Sequence, residues 1–226
     1  MNKKWLFSEF NLLFWILIIM SFLGDLLEVA FVYLNSGKLM SRSSLLYGPF
    51  SLTWGGGAAL LSLFYVFLES KSITFLFLFG TLAGGIFEYL CSFFSEKNYG
   101  FVFWEYSNLK FHLNGRINLL LSLGFGLFTV IWIKMLYPFI RILISPITKE
   151  MSPVITVLAI ILFLINVFLT RVALNRYAKR AQAVPAKNLF QNWIDETYHD
   201  EFIEYRYQNI DFKGNRAISN NMIEGK

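Results

Sequence analysis

The chain reads as an all-α bundle that crosses a membrane about five times and ends in a cytoplasmic helical tail. Three observations carry this reading. Of 226 residues, 56% are hydrophobic, and the mean hydropathy is +0.51. That is too apolar for an ordinary soluble domain. The apolar residues fall in five runs, each long enough for the ~20 residues that a bilayer needs. Charge gathers at the end: residues 171–226 hold 9 of the 20 Lys+Arg and 7 of the 15 Asp+Glu. Residues 1–175 are thus expected to form a membrane domain, and 176–226 a tail.

The first run covers 11–34. Lys3 and Lys4 precede it as in a signal peptide. The run is long, however, reaches Asp25 and Glu28, and lacks a small-x-small cleavage site, so it reads as a retained helix. The second, 45–68, opens on Tyr47-Gly48-Pro49 and passes through Gly55-Gly56-Gly57. A Gly-Pro edge followed by three glycines reads as a broken or re-entrant start, or as a tightly packed small-residue helix. Broken backbone at membrane depth is tolerated only where protein or water satisfies it. The third run, 72–94, has a small-residue face of Gly80, Thr81, Gly84, Gly85, Glu88 and Ser92. Gly80-x-x-x-Gly84 lets a second helix approach closely. In the fourth, 117–144, Tyr137-Pro138 is expected to end the straight helix and leave 138–152 at the interface. Ser152-Pro153 opens the fifth, 153–175.

Beyond it the helix is expected to continue to Ala183, where Pro185 breaks it. Leu189, Phe190, Trp193, Ile194, Tyr198 and Phe202 then recur near helical spacing, with acids between them. An amphipathic helix over about 187–206, docked on the cytoplasmic face or on a partner, is expected. Its acidity argues against direct contact with anionic lipid. Residues 213–226 read as disordered.

Lys3, Lys4, Lys71, Lys134, Arg141 and Lys149 fall on one side of the spans; ten other Lys and Arg, from Lys38 to Lys187, fall on the opposite side. The richer side is expected inside. This places the N-terminus outside and the tail in the cytoplasm of a cell membrane.

Two acids stand at matching positions. Glu28 follows Gly24 by one helical turn, and Glu88 follows Gly84 likewise. Each is expected ~9 Å from the inner end of its helix, at 1.5 Å per residue. Asp25 shares the Glu28 face. An acid inside hydrocarbon is costly and marks a functional site by default. Arg42 and Arg116 lie in the loops that follow and are the expected counter-charges. Acid-bearing helix, arginine loop and glycine-rich helix thus occur twice, as in a parallel internal repeat.

The loop before the fourth run is the most polar part of the body. It holds Trp104-Glu105-Tyr106-Ser107 and Asn114-Gly115-Arg116. At a helix start, free N–H groups, the dipole and a guanidinium favour an anion. Trp104, Glu105, Tyr106, Asn114 and Arg116 therefore join Asp25, Glu28, Arg42 and Glu88 as expected cavity residues. Gly48, Pro49, Gly55, Gly57, Gly80 and Gly84 are the expected packing and flexibility positions.

Several chemistries find no support. The lone Cys91 permits no intrachain disulfide. His112 has no ligand-spaced neighbours for a metal. No phosphate-binding Gly-Lys-Ser/Thr loop and no Gly-x-Ser-x-Gly elbow occur. No basic run interleaves with stacking aromatics, so nucleic acid is not expected. No cofactor is called for.

Gly24-x-x-x-Glu28 with Lys38 and Arg42, Gly48-Pro49 leading to Gly55-x-Gly57-Ala58, Glu88-Tyr89, Trp104-Glu105-Tyr106-Ser107 and Asn114-Gly115-Arg116-Ile117 occur in that order. In this the chain resembles the bacterial ABC-transporter type IV family of permease-like membrane proteins, over roughly 15–145. It departs from the family pattern at Ser41 and Ser43 around Arg42, and at Leu52, Trp54, Glu105 and His112. The resemblance implies a multi-pass permease component whose ATPase is another chain. Two other readings stand beside it. One is a membrane-embedded enzyme or lipid-handling protein using Glu28 and Glu88 as acid or base. The other is a sensor or assembly partner.

Overall fold

The structure, a computed structural model, describes residues 3–150 and 153–212. The expected disordered end, 213–226, lies outside them. The described residues are 74% helical, and their strands are two-residue pairings. Among them, four helical stretches are long and apolar enough to cross a membrane: Ser8–Ser36, Ile73–Tyr99, Leu119–Thr148 and Pro153–Ala181. Their flanks carry bare Leu, Ile and Phe, as lipid-facing helices do.

Helix α1 (Lys3–Ser36) and helix α4 (Ile73–Tyr99) both end at a left-handed glycine, Gly37 (φ +67°) and Gly100 (φ +77°). Both run past their expected ends. Glu28 and Glu88 consequently sit ~12 and ~16 Å from the helix ends rather than ~9 Å.

The expected second span begins late. Gly48 is left-handed (φ +77°), and Pro49 brings no N–H. The chain therefore stays irregular to Ser51, forms α2 (Leu52–Leu63), breaks at Phe64, and makes one further turn, α3 (Tyr65–Leu68). The Ser51 amide donates to the Ser21 carbonyl (2.9 Å), near the middle of α1. Helix α2 thus starts deep beside α1. The loop before it is buried at Ser43, Leu45 and Leu46.

A buried irregular loop must satisfy its own polar groups. Ser43 Oγ accepts from the amides of Leu45 (3.4 Å) and Phe50 (3.0 Å). Ser44 Oγ accepts from Leu52 N (3.0 Å), and Thr170 Oγ1 from Leu46 N (3.0 Å). Asn166 accepts from Tyr47 N and donates to Tyr47 O. Arg206 donates to the carbonyls of Leu45 and Gly48.

Two helix pairs are packed through small residues. A Cβ on Gly55 would strike Ser21 and the Leu17 carbonyl of α1; one on Gly24 would strike Trp54. In the second pair, Gly80 and Gly84 admit Thr129 and Phe125 of α5 (Leu119–Ile131), and Gly126 admits Phe77 and Thr81 of α4. Gly57 meets nothing within 4 Å, so its expected packing role falls away. Gly57→Ala should therefore be neutral or stabilise by up to ~1 kcal/mol. Gly55→Ala should cost about 2 kcal/mol through overpacking. Thermal unfolding of the two purified variants measures the contrast; equal shifts would contradict it.

Tyr137-Pro138 does not end the fourth helix. The chain widens into a π turn over Trp132–Leu136, with Tyr137 N bonded to Trp132 O, then continues as α6 (Tyr137–Glu150). A wide turn before a proline absorbs its missing donor and its ring. Lys134 Nζ donates to the carbonyls of Glu69 (2.7 Å) and Lys71 (3.0 Å), tying this helix to the end of α3. The remaining ties at this end are Arg141–Glu9 (2.9 Å) and Asn11 Nδ2 to Thr148 O (2.8 Å).

Helix α7 (Pro153–Ala181) carries the tail. The expected single amphipathic helix is two: α8 (Leu189–Thr197) and α9 (Asp200–Arg206). His199 breaks them apart by capping Phe202 N. Ile194, Tyr198, Ile203 and Tyr207 form one core with Ala173, Leu174, Phe101 and Leu46. The tail therefore docks where α1, α4 and α7 end and α2 begins.

Candidate functional site

Glu28 is the best-coordinated acid. Its carboxylate accepts from Trp54 Nε1 (2.7 Å), Ser51 Oγ (3.3 Å) and Arg42 Nε (3.3 Å). Ser51 begins α2 without capping it, because its hydroxyl is turned to Glu28. Asp25, one turn earlier, is 3% exposed, and its Oδ1 has no hydrogen-bond partner among the described residues. Arg42 and Arg206 are close enough to act on its charge.

Glu88 is 6% exposed. Its Oε1 accepts from the Tyr106 hydroxyl (2.9 Å); its Oε2 and the nearby Ser92 Oγ are buried without a partner among the described residues. Glu28 is near enough for the two acids to feel each other's charge. Burial, and after it the Glu88 charge, push the Tyr106 phenol above its ordinary range. The phenol therefore remains a donor across the physiological range.

Arg116 goes elsewhere. It pairs with Glu96 (2.7 Å), stacks over Tyr89 and Phe93, and leaves Nε and Nη1 buried without acceptors among the described residues. It is not at a helix start either. Asn118 caps α5, its side chain accepting from Leu120 N (2.8 Å). The anion site expected at Asn114-Gly115-Arg116 is thus a hairpin: β2 (His112–Leu113) pairs with β3 (Ile117–Asn118) across left-handed Asn114 and Gly115.

Trp104, Glu105 and Asn114 build that hairpin rather than a cavity. Trp104 Nε1 donates to Arg116 O (3.0 Å), and Asn114 Nδ2 to Tyr89 Oη (3.1 Å). Glu105 accepts from the amide and hydroxyl of Ser107. A side chain at Gly115 would collide with the Glu105 carboxylate. Of the loop's described contacts, the Tyr106 hydroxyl is the one that meets Glu88.

Arg206 was not foreseen, although it holds the loop that presents Arg42 and Ser51. It also donates to Ser41 Oγ (3.1 Å). The signal was available: it is the one Lys or Arg between 188 and 212.

The site thus belongs to a helical membrane protein in which Glu28 and Glu88 stand on two of the long apolar helices. The chain belongs to the family described as "Putative ABC-transporter type IV", whose model matches residues 15–171. No curated protein and no solved structure matches it. The family and the apolar helices together fit a membrane transport component.

Proposed function

We propose that the chain is the permease-like component of a transport system. Asp25, Glu28 and Glu88, with Arg42 and Tyr106, form its polar site. One observation carries the reading. Two helices that each pack on the next through glycines, α1 on α2 and α4 on α5, bring carboxylates near enough for one charge to act on the other. Two of these acids keep a buried oxygen that no described residue satisfies. Such oxygens are costly unless a cation, a proton or a solute donor meets them in the working cycle.

The irregular loop 38–50, held by Asn166, Thr170 and Arg206, forms one wall of that site and presents Arg42 to it. Irregular backbone beside intramembrane charge is where transporters place their substrate sites. The count of Lys and Arg puts the tail in the cytoplasm and the N-terminus outside. An ATPase subunit would then meet the tail end of the bundle.

The test compares small solutes inside and outside cells that lack the protein, carry it, or carry Glu88→Gln at equal membrane abundance. Wild-type cells should shift one chemical class of solute at least tenfold, and Glu88→Gln cells should not. Identical solute profiles in all three would overturn the proposal. A change confined to membrane lipids would favour the lipid-handling reading instead.

A further inference from the structure

We propose that a cleft between α7 and α8 binds the headgroup of an anionic phospholipid, with α8 lying in the membrane interface. The cleft is about 220 Å³ and includes Arg171, Lys179, Asn175, Phe168 and Phe190 in its lining. Residues 153–170 carry no charge and rise ~27 Å, close to the thickness of a bilayer's hydrocarbon core. Arg171 therefore stands where lipid headgroups begin.

Phe168 fixes the depth of α8. It lies one turn on the lipid side of Arg171, and the Phe190 ring stacks on it at 6.5 Å. Trp193 stacks in turn on Phe190 (5.9 Å), and Leu189 beside them is 86% exposed. The lipid-facing surface of α7 thus continues without interruption onto α8. That continuity selects a lipid over a soluble protein as the occupant.

The charges fit as well. The acidity of the tail argues against anionic lipid only if the acids face outward. Asp195, on the helix that lines the cleft, faces inward instead, bound by Arg176 and Arg180; the exposed Asp200, Glu201 and Glu204 belong to α9, which does not line the cleft, and Asp200 pairs with Arg180. Arg171 and Lys179 have no carboxylate within 4 Å among the described residues. Lys187 is exposed just before α8. Glu196, the exposed acid of α8, lies ~10 Å along the axis from Leu189, at the far end of the helix. Aromatic residues at the headgroup level with cations above them are the usual anchor of an interfacial helix.

The experiment measures lipid retained by the purified full chain after delipidation in detergent. Phosphatidylglycerol and phosphatidylcholine are added separately, and the protein is read by native mass spectrometry. Wild type should keep phosphatidylglycerol in preference to phosphatidylcholine. R171Q/K179Q should lose roughly tenfold or more of that preference. R171K/K179R should keep it. F190S/W193S should weaken retention of both lipids. Excess inorganic phosphate should not displace the lipid. Equal retention of phosphatidylglycerol by wild type and R171Q/K179Q, or displacement by phosphate alone, would overturn the proposal.

Discussion

Glu28→Ala is expected to destabilise the bundle by about 3–5 kcal/mol, whereas Glu88→Gln should cost less than ~1 kcal/mol. The difference follows from their partners. Glu28 is the shared acceptor of Trp54, Ser51 and Arg42. Truncation takes away the acceptor that an indole N–H, a hydroxyl and a guanidinium share. These three donors also fix the start of α2, so the loss spreads to the α1–α2 pair. Glu88 has one partner, and glutamine retains an acceptor for the Tyr106 hydroxyl. Its second oxygen is unsatisfied already. On this count Glu88 contributes little to holding the fold, which fits its place in the proposed polar site. Unfolding of the purified variants decides this. A Glu88→Gln loss exceeding that of Glu28→Ala would reverse the assignment of structural and functional acid.

Much of this site was legible in the residues. Carboxylates one turn after a glycine in two apolar runs marked the acids that the Trp54, Ser51, Arg42 and Tyr106 donors meet, though not their distances from the helix ends. The Arg42–Glu28 pair follows from a short loop that must return to the same helix end. Arg116 was mispaired for a physical reason. The third run was expected to end at 94, which leaves Glu96 in a loop. Helix α4 instead continues to Tyr99, and Glu96 becomes the nearer carboxylate. Hydropathy falls before the helix does, because the last turns leave the apolar layer while their backbone bonds persist.

The other differences share a cause. Periodicity reports which residues face apolar surroundings, not whether the backbone between them is regular. Gly48-Pro49 signalled irregular backbone, but not that Asn166, Thr170 and Arg206, 119 to 161 residues away in sequence, would satisfy it. Pro138 signalled a break where a π turn sufficed. His199 interrupted an amphipathic pattern that ran through it unbroken. Long-range partners decided the loop before α2, and a single sequence does not display them; local backbone bonds decided the other two.

The tail is held by an ion cluster whose removal should release it. Arg176 is 2% exposed and is gripped by Asp195 through Nε (2.9 Å) and Nη2 (2.6 Å). Arg180 binds the same carboxylate (2.5 Å), Asp200 (2.6 Å) and the Tyr198 carbonyl (2.8 Å). Asp195→Asn leaves a buried guanidinium short of its counter-charge. The expected loss is about 2–3 kcal/mol of docking, or roughly 30- to 150-fold more undocked tail. Trypsin should then cut at Lys187 correspondingly faster, and unchanged cleavage would refute the cluster's role.

The pH dependence has a definite sign. Burial alone would raise the Asp195 carboxyl, but the bonds and charges of Arg176 and Arg180 outweigh it and hold the group below its ordinary value of 3.8. A depressed folded-state value stabilises above the ordinary one and is lost as pH falls through the depressed one. Docking in the wild type should be level from neutral pH down to about 5 and weaken only below about 4. Asp195→Asn should abolish that acid step while lowering the plateau. Because Arg206 of the same tail holds the carbonyls of the loop before α2, an undocked tail should also loosen Ser51 and its contact with Glu28. The ion cluster of the tail and the Glu28 carboxylate are thus joined through Arg206 and the loop before α2.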